Sequence, residues 1–81
     1  MIKHNKKMKI NVRGAFHQLW TKLVLKRRIR SLGVEIHDIK YGSLHQTEII
    51  MSGDTDLLWK ALESAKTPGF LMDRIIFEFI D

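Results

Sequence analysis

Residues 13–22 read Arg-Gly-Ala-Phe-His-Gln-Leu-Trp-Thr-Lys, between a run of alternating apolar residues and a helical stretch. A loop between a strand and a helix N-terminus presents backbone N–H groups and a positive dipole end, which together suit an anion. Gly14, Ala15, Phe16, His17, Gln18, Leu19, Trp20, Thr21 and Lys22 are therefore a candidate anion-binding loop that ends in a cation. The stretch holds a single glycine, Gly14, and a bulky Trp20. A cradle needs its amides turned inward, a conformation glycine adopts more readily than other residues.

Beyond the loop, Lys22, Lys26 and Arg30 recur every four residues along one helix flank, with Arg27 and Arg28 beside them. Such a stripe either contacts a polyanion backbone or is a solvated face whose late charges complement the helix C-terminus. Apolar residues lie among these cations. Phe16, Trp20, Lys22, Leu23, Lys26, Arg27 and Arg30 form a candidate partner-binding surface, since aromatic residues and arginine anchor interfaces. His4, His17, His37 and His45 show no metal-ligand spacing and read as surface or turn histidines. No metal and no cofactor are expected.

Composition narrows the classes. The chain has 81 residues, 44% of them hydrophobic and 28% charged, which suits one small globular domain. There are no cysteines, so disulfide and thiolate chemistry are excluded. The net charge of +5 favours acidic partners. No apolar run reaches membrane-spanning length, and a soluble, cytoplasmic protein is expected.

The elements that must position these residues follow from apolar periodicity. Residues 1–7 read as a flexible basic tail ahead of a single domain over residues 8–81. Met8, Ile10 and Val12 alternate with Lys9, Asn11 and Arg13, as in a half-buried strand. A helix runs from about Gln18 to Leu32, with Leu25, Ile29 and Leu32 as its core stripe and Gly33 as its C-cap. Leu19, Trp20 and Leu23 fall outside that stripe. Residues 34–41 form a weaker strand whose broken alternation implies a bulge or an edge position. A third strand covers residues 46–51 and ends at Ser52-Gly53. Asp54 or Thr55 caps a second helix with Leu58, Ala61, Leu62 and Ala65 inward, and Thr67-Pro68-Gly69 breaks it. Ile75, Phe77 and Phe79 alternate with Ile76, Glu78 and Ile80 in a last strand, which leaves Ile76, Ile80 and Ile50 as apolar groups on the open face.

The order βαββαβ predicts an α+β, ferredoxin-like sandwich, a four-stranded antiparallel sheet with both helices on one face. RNA-binding domains of this architecture stack bases on sheet aromatics. Residues 46–51 hold none.

Over about residues 8–80 the chain resembles the acylphosphatase family. Met8-Lys9-Ile10-Asn11-Val12-Arg13-Gly14 is similar to its first strand and loop glycine, and Ala15 to Lys22 to the rest of its phosphate cradle. Residues 26–34 are similar to its basic helix and Leu-Gly cap. Met51-Ser52-Gly53 matches the end of its third strand, and residues 67–75 its Gly-Pro signature. The resemblance implies an arginine at Lys22 and an asparagine near Lys40 or Tyr41, the pair that grips phosphate and orients water in that family. It also implies loop glycines at Gln18 and Trp20. Lysine lacks the two-point guanidinium fork, and neither Lys40 nor Tyr41 is an amide. The leading expectation is a non-catalytic binding or regulatory module with a degenerate site that contacts an acidic or mixed protein surface. One alternative is an acylphosphatase with Lys22 as its phosphate-gripping cation. Another is nonspecific nucleic-acid binding by the basic helix.

Overall fold

The computed structural model describes residues 5–14, 16–43, 45–66 and 74–80. Strand β1 (Asn5–Arg13) leads into a helix, α1, made of three consecutive segments: His17–Trp20, a π-helical turn at Thr21–Leu25, and Lys26–Ser31. Strands β2 (Glu35–Tyr41) and β3 (Gln46–Asp54), helix α2 (Thr55–Lys66) and strand β4 (Arg74–Phe79) follow. The sheet order is β2-β3-β1-β4 and every pairing is antiparallel, so the predicted α+β, ferredoxin-like architecture stands.

Alternation in the central strands decides which face meets the helices. Met8, Ile10 and Val12 of β1 and Ile49 and Met51 of β3 are almost wholly buried. They join Leu25 and Ile29 of α1 and Leu58, Ala61, Leu62 and Ala65 of α2 in one core. Strand β2 is an edge strand, with the register shift of a bulge between Ile36 and Asp38, as its broken pattern implied. Gly33 has φ +92, the left-handed geometry that ends a helix at little steric cost. Asp54 Oδ1 accepts from the Asp56 amide at 3.2 Å, which makes Asp54 the side-chain cap of α2.

Several boundaries differ from the sequence reading, most by a single residue. Asn5, Lys6 and Lys7 are strand rather than tail, paired with Asp54, Gly53 and Ser52. For the same reason β3 continues through Ser52 and Gly53 to Asp54 instead of stopping at Met51. A ladder partner supplies backbone hydrogen bonds whatever the side chains, so polar ends extend where periodicity fades. The helix begins at His17, one residue early. Residues 1–4 of the expected tail and the Thr67-Pro68-Gly69 break lie outside the described residues.

The π turn explains the helix's buried face. His17, Thr21, Leu25 and Ile29 recur every four residues and are all fully buried. In a regular α-helix each four-residue step overshoots a full turn by roughly 40°, so this stripe would rotate out of the core. The wider π turn offsets the drift and keeps all four side chains inward.

Candidate functional site

The candidate anion loop is mostly helix. Only residues 14–16 separate β1 from α1, and the His17 amide already donates to Gly14 O at 3.3 Å. The Trp20 amide donates to Phe16 O at 3.1 Å, and the Thr21 amide bonds back to His17 and Gln18 carbonyls. These amides are therefore committed inside the helix and do not converge on an outside anion.

The side chains of the stretch each have a place. The His17 ring is buried between the helices, with Nε2 3.2 Å from Ala65 O and Nδ1 3.1 Å from Thr21 Oγ1. A carbonyl only accepts, so Nε2 carries the proton and Nδ1 accepts from the Thr21 hydroxyl. Burial lowers the His17 pKa below its ordinary 6.5, against the smaller raising effect of the Ala65 carbonyl. This corrects the surface reading of His17. His37 and His45 are exposed as expected, and His4 lies outside the described residues.

Gln18 reaches sideways. Its Nε2 donates to Gly42 O at 2.9 Å and Gln46 O at 2.6 Å, tying α1 to the β2–β3 turn. Trp20 is half-buried against the core, edge-on to His17 at 5.4 Å, with the Arg28 guanidinium 6.0 Å over its ring. It is neither inside an anion cradle nor a free anchor.

Lys22 Nζ lies 4.6 Å from the centroid of the Tyr41 ring. The register explains the meeting. Tyr41 is opposite the buried Thr47 and so on the helix side of the sheet, whereas Lys40 is opposite Glu48 on the open side. Of Lys40 and Tyr41, Tyr41 is thus the one facing Lys22. Burial raises the Tyr41 pKa above 10.0.

The candidate partner surface is partly exposed. Phe16, Leu19 and Leu23 are 66%, 57% and 61% exposed. Lys22, Arg27 and Arg30 are also exposed, while Lys26 and Trp20 are half-buried. Leu19, Leu23 and Arg27 follow at four-residue intervals, so the underwinding that holds the buried stripe inward also aligns this outer one. Leu19 belongs with this outer surface, beside Leu23.

The open sheet face carries a row of alternating charge. Lys9 Nζ is 3.3 Å from Glu78 and 3.7 Å from Glu48, and Lys40 is 4.0 Å from Glu48. One charged residue from each of the four strands takes part. Ile76 and Ile50 share this face with them, Ile76 being well exposed and Ile50 half-buried.

No family model and no curated protein sequence matches the chain. Solved structures do match its fold. An acylphosphatase from Coxiella burnetii superposes with a TM-score of 0.80 at 15% identity, over 95% of this chain and 82% of that one. An acylphosphatase from Bacillus subtilis gives 0.79 at 16% identity, over 93% and 84%. The chain therefore has an acylphosphatase-like, ferredoxin-like fold. At such identities the likeness extends to architecture and not to chemistry.

Proposed function

We propose that this protein is a non-catalytic binding module that engages an acidic or mixed protein surface through α1. The observation that carries this reading is the exposed row Phe16, Leu19 and Leu23, edged by Lys22, Arg27 and Arg30. Three large apolar side chains in solvent, rimmed by one sign of charge, fit the apolar face of an acidic amphipathic partner. The amides of Trp20 and Thr21, bonded within the helix, support it, because they are not available to an outside anion.

Titration of the labelled protein with an acidic amphipathic helical peptide tests this. The expected result is backbone shifts at residues 16–30, lost in Leu23→Glu. A peptide that shifts only the open sheet face, or a Leu23→Glu variant that binds as well as the parent, contradicts the reading. Tighter binding to duplex DNA than to the peptide, falling steeply with salt, favours the nucleic-acid alternative instead.

The fold likeness to acylphosphatases, with a cation at Lys22, supports the hydrolase alternative. In that reading Lys22 leaves the Tyr41 ring to grip an acyl phosphate.

A further inference from the structure

On the open sheet face, basic residues of the central rows are matched by carboxylates: Lys9 by Glu78 and Glu48, and Lys40 by Glu48. One cross-strand pair breaks that rule. Arg13, the last residue of β1, stands directly opposite Arg74, the first of β4. Like charges facing each other across a ladder are destabilising. Among the described residues neither guanidinium is in an ion pair, and the nearby Glu48 is held by the two lysines.

The arginine pair borders a cavity of about 250 Å³ lined by Asn11, Val12, Arg13, Gln46, Arg74 and Ile76. Among the described residues no acidic side chain lines it. The Asn11 and Gln46 side chains bring amide donors, and the exposed Ile76 forms an apolar wall. Two guanidinium forks bordering one cavity suit a dianionic phosphoryl group, whose charge they balance and whose oxygens they can grip at two points each. A single carboxylate would balance only one.

We propose that this cavity is a binding site for the phosphoryl group of a small molecule, with Arg13 and Arg74 as its two clamps. It lies on the sheet's open face, away from the outer stripe of α1, and does not depend on the binding-module reading.

The test is a side-chain NMR titration of the full chain with inorganic phosphate, phenyl phosphate and benzoate. Both phosphates are expected to shift the Arg13 and Arg74 guanidinium signals, with benzoate the weakest ligand. Tighter binding of phenyl phosphate, with shifts at the Ile76 methyls, assigns an organic monoester; equal affinity assigns free phosphate. Arg74→Gln should weaken phosphate by about tenfold or more, and Arg74→Lys by less, since it keeps the charge without the fork. Phosphate should raise the melting temperature of the parent and not of Arg74→Gln. Without phosphate, Arg74→Gln should melt no lower than the parent, because it relieves a repulsion. No response at either arginine, benzoate equalling phosphate, or a response confined to residues 14–22 overturns the proposal. So does a lower melting temperature of Arg74→Gln without phosphate, which would mean that Arg74 already has a partner.

Discussion

Lys22 Nζ lies 4.6 Å from the centroid of the Tyr41 ring, so the cation that ends the candidate loop rests on an aromatic face supplied by the edge strand β2. Both side chains are solvent-accessible, and an exposed cation–π contact stabilises by about 0.5–1 kcal/mol. Lys22→Ala should therefore lower unfolding stability by no more than about that amount in a denaturant titration. Tyr41 is the sole tyrosine, so phenolate absorbance reports it directly. Its midpoint should lie above 10.0, because burial disfavours the phenolate.

His17 gives the fold a pH dependence. Its folded pKa is lowered, so the native state binds a proton less readily than the unfolded chain. In the window between the folded pKa and 6.5 the unfolded state holds more protons, and stability falls as the pH drops through it. Above 6.5 this contribution is flat. Melting curves from pH 8 to 5 should show the decline beginning near the ordinary histidine pKa of about 6.5, and His17→Gln should remove that part of it.

Gln18 makes two donor bonds to carbonyls of the β2–β3 turn, at Gly42 and Gln46. Gln18→Ala should cost about 1 kcal/mol. The loss should appear as faster hydrogen exchange at the Gly42 amide, whose own bond to Gln46 O closes the turn at 2.8 Å.

Thr47 is fully buried, and its hydroxyl has no hydrogen-bond partner among the described residues. Thr47→Val keeps the shape and removes the unpaired group. A gain of about 1 kcal/mol is expected in urea unfolding; a loss would show that the hydroxyl has a partner.

Leu23 is exposed, so Leu23→Glu should change stability by less than about 0.5 kcal/mol while removing peptide binding. Equal loss of both, measured by melting and titration together, would make the residue structural.

The architecture was legible because Met8, Ile10 and Val12 alternate cleanly and Leu58, Ala61, Leu62 and Ala65 keep one helical period. The start of α1 was harder. His17 and Thr21 are polar, and their four-residue step to Leu25 and Ile29 fits a regular α-helix badly, so the π turn concealed their burial. The signal was present as the interval itself. The Arg13–Arg74 pair depends on strand register across 61 residues of separation, which local periodicity does not contain. The contact between Lys22 and Tyr41 likewise needed the sheet to decide which of Lys40 and Tyr41 faces the helix.

Hydrolysis of a model acyl phosphate by the parent chain and by Lys22→Ala bears most directly on whether α1 is a contact helix or the remnant of a working cradle. The binding-module account predicts that both proteins leave the spontaneous rate unchanged. Turnover in the parent that disappears in Lys22→Ala, with the variant still folded, would contradict it.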